Sequence, residues 1–237
     1  MVIGKSSKNE ASGSSVLTQK IYQSLRDEIV SGNLKPGEAL SRRRIAERYG
    51  CSYTPVIEAL IRLEYAGLVE SETFQTPRVC GLSLERLHGD YVLREAYETQ
   101  AIRLACEHAT PDEVKELYSL AEAVDALALL KDAPKHEGDA QEGPILHWCF
   151  HRRIAELSRC QKLTAELERL ELLSRFKETW AFVEGFPDPP RHHASLVELI
   201  KDRDPVGADA LMRAHIKRGY DKDVKGYWSA RARQTDV

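Results

Sequence analysis

The sequence predicts a mainly α-helical chain in two parts: an N-terminal winged helix-turn-helix with a small β-hairpin wing, then a C-terminal antiparallel all-α bundle of six or seven helices. Three observations predict it. Apolar residues recur at helical spacing through most of the 237 residues. The clearest stretch without that period, Gly67 to Cys80, holds Pro77 and two short β-prone runs, Leu68-Val69 and Arg78-Val79-Cys80. Capping and stop residues punctuate the remainder.

Leu17, Ile21, Leu25 and Ile29 recur every four residues, which predicts an amphipathic helix ended by Gly32. Pro36-Gly37 marks a turn. Ser41 caps a short helix carrying Ile45, Ala46 and Tyr49, stopped by Gly50. Ser52 caps the next, with Pro55 in its first turn and Val56, Leu60 and Leu63 as its buried stripe. After the hairpin, Ser83 to His108 reads as one long helix. Thr110-Pro111-Asp112-Glu113 is a strong helix start: an N-cap, proline at the first position, and Glu three residues after the cap. Ala133 to Glu142 is a polar linker. Helices follow from Pro144 to Leu157 and from Lys162 to Phe182. Pro187 to Pro190 break the chain, Arg191 to Lys201 is helical, and Asp204-Pro205 starts a last helix to Lys222. The expected domains are thus a disordered arm at 1–16, a reader at 17–81, a helical domain at 83–224 and a tail at 225–237.

Composition excludes several classes. No apolar run approaches the ~18 residues that span a bilayer, so no membrane partner is expected. The first 16 residues are polar and Ser/Gly-rich, unlike a signal peptide. Five scattered cysteines without a CxxC pair suit reduced thiols in the cytoplasm. The net charge of −3 does not itself point to nucleic acid. Residues 17–80 carry 9 basic against 8 acidic side chains, and residues 81–237 carry 23 against 28, so any DNA contact must come from local clustering.

Such a cluster exists. Ala46, Gly50 and Val56 have the spacing of a helix-turn-helix: a small residue where the helices touch, a glycine for the tight turn, and an apolar anchor on the second helix. The second helix then offers Ser52, Tyr53, Thr54 and Ile57 to the major groove, while Arg42, Arg43 and Arg44 on the first helix stand where phosphates pass. A structural three-helix module with a solvated arginine face is the alternative.

In the helical half, His147 and His151 lie four residues apart and project from one face, so both imidazoles can reach one metal ion. His215 follows Leu211 and Met212 on an apolar face, and His193 shares a face with Leu196 and Ile200. Surface or singly satisfied core histidines are the competing reading. His88, His108, His136 and His192 lack such company and read as ordinary polar residues.

From Ile21 to Ser83 the chain closely resembles the winged helix-turn-helix of the GntR family. The matching residues are Leu34-Lys35-Pro36-Gly37-Glu38, Ile45-Ala46-Glu47-Arg48, Thr54-Pro55-Val56-Ile57-Glu58-Ala59-Leu60, Arg62-Leu63 and Gly67-Leu68-Val69. The resemblance implies that Arg43 reaches DNA from the helix before the turn, and that Ser52 and Thr54 contact phosphate or base edges. The family usually places Arg where this chain has Tyr53 and Ile57, and Gly in the wing where it has Phe74 to Pro77. An Arg–guanine pair is worth ~1–3 kcal/mol of discrimination, so the usual operator is not expected here.

The second half resembles the FCD sensor domain of the FadR-type subfamily. Ser83-Leu84-Glu85, Arg94 with Glu98, Phe150-His151, His193, Asp204 and Met212-Arg213-Ala214-His215 carry the likeness. In metal-binding members one Asp and three His hold a divalent ion. His151, His193 and His215 match those histidines, and His147 stands where Asp is usual. An all-imidazole set favours softer ions, with Zn the first expectation and Ni the second. The resemblance also implies Arg94 as the partner of a small carboxylate effector, by fork geometry; an ordinary i, i+4 salt bridge with Glu98 is the alternative. The whole reading is a sequence-specific transcription regulator, a homodimeric repressor of a double-stranded DNA operator, released by that effector. A metal-free sensor pocket is the second reading. A metal-dependent bundle enzyme is the remote one, because none of His147, His151, His193 and His215 has Glu three residues before it and no nucleophile motif or phosphate loop appears.

Overall fold

Helix follows helix for nearly the whole chain because the apolar stripes are long and the β-prone runs short. The computed structural model describes residues 7–73, 75–81, 83–129, 142–180 and 189–235. Among them are helices α1 (Ser7–Val30), α2 (Arg42–Tyr49), α3 (Tyr53–Tyr65), α4 (Leu84–His108), α5 (Pro111–Leu129), α6 (Glu142–Leu157), α7 (Gln161–Trp180), α8 (His192–Lys201) and α9 (Pro205–Thr235), with strands β1 (Val69–Glu70) and β2 (Arg78–Val79). The chain divides into two compact units, Met1–Leu82 with Leu173–Trp180, and Ser83–Leu172 with Ala181–Val237.

In the first unit α1 buries Ile21, Leu25 and Ile29 against α3, which contributes Val56, Ala59, Leu60 and Leu63. Thr18, also buried, donates its hydroxyl to Glu58 at 2.9 Å. Ser41 caps α2 by accepting from the Arg44 N–H. Gly50 ends it at φ 59°, the left-handed conformation that glycine adopts without a Cβ penalty. Cys51 N–H then returns to the Ala46 carbonyl at 3.0 Å, which closes the turn. The wing pairs Val69 with Val79 antiparallel, and Val79 N–H also reaches the Glu38 carbonyl at 2.9 Å.

The second unit is an all-α bundle in which α4 packs on α6, α8 and α9, and α5 packs on α6 and α8. Its core runs through Leu87 and Ile102, Leu117 and Ala121, Phe150 and Ile154, Leu196 and Ile200, and Met212 and Ile216. The capping box forms as its residue types predict. Thr110 Oγ1 accepts from Glu113 N–H at 3.3 Å, and Glu113 Oε2 accepts from Thr110 N–H at 3.0 Å. Asp204 Oδ1 caps α9 by accepting from Gly207 N–H at 2.9 Å.

Several elements differ from the sequence reading. Helix α1 begins at Ser7, inside the segment read as a disordered arm. Those polar residues add hydrogen-bonded turns to an already stable helix, and propagation costs far less than nucleation. Helix α9 continues through Thr235, well past Lys222 and through most of the expected tail. No proline interrupts it, and Tyr220 and Val224 still pack against the core. Ser52 sits at the N-cap of α3 as expected, yet its side chain makes no capping bond. Strand β1 (Val69–Glu70) is displaced by one residue from the run Leu68-Val69, while β2 (Arg78–Val79) falls within the run Arg78-Val79-Cys80. Most of the linker read at 133–142 lies outside the described residues, and Glu142 belongs to α6. No described helix is long and apolar enough to cross a membrane.

Candidate metal centre and nucleic-acid interface

The reader residues fall on one exposed corner. Arg42, Arg43 and Arg44 form the exposed first turn of α2, and Ser52, Tyr53, Thr54 and Ile57 are exposed at the start of α3. Arg43 and Tyr53 border the same shallow hollow across the Gly50 turn. Arg43 Nε donates to Glu47 Oε1 at 2.9 Å, but with both side chains well exposed the pair contributes little stability and is readily exchanged.

The four histidines meet. His147 and His151 come from α6, His193 from the first turn of α8 and His215 from the middle of α9. One ligand atom from each lies within 4.8 Å of all the others. The Nε2 atoms of His147, His151 and His215 form a triangle with sides of 3.0, 3.1 and 3.3 Å. Nitrogens held at ~2.0–2.1 Å from one tetrahedral ion would stand about 3.3 Å apart, so the triangle has the dimensions of a ligand set. His151, His193 and His215 are buried and His147 is half-buried.

What stands behind the rings sets their tautomers. Glu98 Oε2 lies 2.5 Å from His151 Nδ1, and Asp125 Oδ1 lies 2.6 Å from His193 Nδ1. A carboxylate at Nδ1 keeps the proton there and leaves the Nε2 lone pair aimed at the centre. Asp125 is itself fixed, accepting from the backbone N–H groups of His193 and Ala194 at 3.1 Å each. His192 Nε2 stands behind His215 Nδ1 at 2.8 Å. Burial, then the neighbouring imidazoles, push His215 well below the ordinary imidazole range. It is therefore neutral, as a metal ligand must be.

Arg94 is buried on α4 one turn before Glu98, and its Nε donates to Glu98 Oε1 at 2.8 Å. The i, i+4 salt bridge weighed as the alternative role of Arg94 thus forms, and it lies in the interior. The guanidinium carbon lies 4.6 Å from the Trp148 ring centre and 5.0 Å from that of Tyr91. Burial alone would raise the Glu98 carboxyl, but the Arg94 charge and then His151 overcome it and hold it at about 2. Glu98 is therefore an anion joining Arg94 to a histidine of the cluster.

Three members of this site escaped the sequence reading. His192, placed among the ordinary polar residues, is buried against His215. Asp125 and the second role of Glu98 were also missed. A signal existed for Asp125: it falls four residues after buried Ala121 and eight after Leu117, an acid at the edge of an apolar stripe. For Glu98 the partner comes from another helix 53 residues away, which spacing alone does not show.

Comparison with known proteins agrees with both halves. Residues 17–75 match the family model "Bacterial regulatory proteins, gntR family", and residues 91–218 match the FCD domain. The chain is 28% identical over 193 residues to the Nta operon transcriptional regulator of Aminobacter aminovorans, covering 81% of this chain and 88% of that one. It is 26% identical over 201 residues to the HTH-type transcriptional repressor GlaR of Escherichia coli K12, covering 82% and 90%. The solved structure of E. coli McbR/YncC superposes with a TM-score of 0.65 at 24% identity, over 89% of this chain and 98% of that one, which shows a shared fold. With its FCD model spanning more than half of the sequence, the chain belongs to the GntR family of transcriptional regulators, in the branch that carries an FCD domain, and is not an enzyme.

Proposed function

We propose that the protein is a homodimeric repressor that binds a DNA operator through α2 and α3 and releases it when a small carboxylate enters a metal-containing site in the helical unit. His147, His151, His193 and His215 hold the ion, and Arg94 receives the effector beside it. The observation that carries the reading is the pairing of His151 and His193 with carboxylates at Nδ1 while their other nitrogens belong to a four-imidazole cluster. A buried set of lone pairs facing one another is unfavourable unless a cation lies among them.

Charge supports the choice of effector. Four neutral imidazoles leave the full charge of a divalent ion in place. Glu98 offsets Arg94, and Asp125 offsets half of the ion. The remaining positive charge in a buried site favours an anion, and a carboxylate suits both an open metal position and a guanidinium. Imidazole-only ligation favours Zn, then Ni. Repression is supported by the name of the GlaR relative. The DNA half is supported by the exposed arginines at the start of α2 and by the family match.

The test uses the full chain, loaded with zinc and bound to a duplex that it retards. A panel of small mono- and dicarboxylates is added, with and without prior chelation. Release of the duplex by one carboxylate, only from metal-loaded protein, is the expected result. Equal release from metal-free protein, verified by elemental analysis, would remove the ion from sensing.

A further inference from the structure

Helix α3 carries two faces of opposite kind. One buries Val56, Ala59, Leu60 and Leu63. The other leaves Tyr53, Ile57 and Ile61, spaced four residues apart, at 54%, 41% and 58% exposure. Apolar side chains in one row on the surface mark a place where something apolar is met. The row starts beside Arg42, Arg43 and Arg44, all exposed, and Arg43 and Tyr53 share one hollow. Three arginines flanking an apolar strip do not complement the greasy groove of another protein. They complement a surface with anionic rails and an apolar feature between them.

The major groove has such a feature. Of the groups displayed there, only thymine offers a methyl; guanine, cytosine and adenine present donors and acceptors alone. Isoleucine has no polar side-chain atom. Set against guanine, it would strip water from O6 and N7 and return no hydrogen bond, which disfavours that base. Set against thymine, it covers a methyl at no such cost. We propose that Ile57, with Tyr53 one turn before it, reads thymine methyl groups, so that each operator half-site carries thymine at the positions these side chains face. The proposal rests on the DNA-binding reading above and deepens it. Ser52 and Thr54, exposed at the same helix start, supply the polar contacts that fix the helix in the groove.

The full chain is used to enrich binders from a duplex library with a random core of about 30 base pairs, long enough for two half-sites and their flanks, at low salt. The enriched pool is then copied twice, once with dTTP and once with dUTP, which removes only the thymine methyls. Affinities of both copies are read by fluorescence anisotropy for the wild type, Ile57→Ala and Tyr53→Ala. The wild type is expected to bind the dU copy more weakly, by roughly fourfold for each thymine methyl taken out of the interface. Ile57→Ala is expected to bring the two copies within about twofold of each other. Equal binding of both copies by the wild type overturns the methyl reading and leaves DNA binding intact. A dT preference unchanged in both variants also overturns it, because duplex shape would then be the cause. A library that never enriches overturns the DNA-binding reading itself.

Discussion

Glu98 Oε2 faces His151 Nδ1 at 2.5 Å, while the other oxygen of the same carboxylate accepts from Arg94. One buried anion therefore touches both the proposed effector residue and the histidine cluster. Glu98→Gln keeps the shape but removes the charge, so His151 loses the partner that fixes its tautomer and raises its basicity. Metal affinity is expected to fall about 10–100-fold. Competition against a zinc-binding dye measures it; an unchanged affinity would show that the Glu98–His151 contact has no part in holding the ion.

Removal of the ion should be visible in stability. A ligand that binds only the folded state contributes by mass action, ~2.7 kcal/mol at a hundredfold excess over its dissociation constant. Chelation is expected to lower the melting temperature of the wild type by several degrees and that of His193→Ala much less. Scanning calorimetry of the two proteins, with and without chelator, checks this. Equal shifts in both would place the bound metal elsewhere.

Why the sequence disclosed so much of this follows from which signals are local. The turn between α2 and α3 is written in Ser41, Ala46, Gly50 and Val56, and each performs the role its type suggests, because capping and left-handed backbone are decided within a few residues. His147 and His151 share a face by helical geometry, and that geometry holds. What stayed hidden depended on the packing of distant helices. His192 looked solitary because its neighbour His215 is 23 residues away, and Asp125 lies 68 residues from His193. The ends of α1 and α9 were misplaced for another reason: polar composition speaks against a core but does not stop a helix already under way.

The thiols provide an independent check on the bundle. Cys106 is buried, and burial first, then the Asp204 charge, push its thiol up to about 11. Cys149 is exposed on α6. Under mildly alkaline conditions, near the ordinary thiol pKa of ~8.5, a chromogenic disulfide reagent is expected to modify Cys149 rapidly and Cys106 only after denaturant is added. Peptide mapping of the labelled protein distinguishes the two. Rapid labelling of Cys106 in native protein would contradict the packing of α4 in its core.

The quaternary proposal has a simple reading in solution. One recognition helix covers about half a turn of duplex, and a two-fold protein gains by reading half-sites ~34–36 Å apart. Light scattering at micromolar concentration is expected to give about twice the 26.8 kDa of the single chain. A particle of single-chain mass would set the homodimer aside.

Arg43 is proposed to grip the DNA backbone, and its present contact sets what that would cost. Its guanidinium donates to Glu47, and with both partners exposed that contact is worth ~1 kcal/mol or less. A phosphate oxygen offers a stronger, charge-assisted partner, so Arg43 is expected to leave Glu47 when duplex arrives. Each phosphate contact adds about 0.9 to the slope of log affinity against log salt. Arg43→Ala should therefore weaken binding to every retarded duplex alike and reduce that slope by about one. Anisotropy titrations between about 50 and 200 mM salt, on two duplexes of different sequence, measure both quantities. If the variant instead loses affinity for one duplex by about tenfold or more and for the other hardly at all, Arg43 reads a base edge. If neither affinity nor slope changes, α2 does not face the DNA, and the groove-reading role assigned to the exposed start of α3 loses its support.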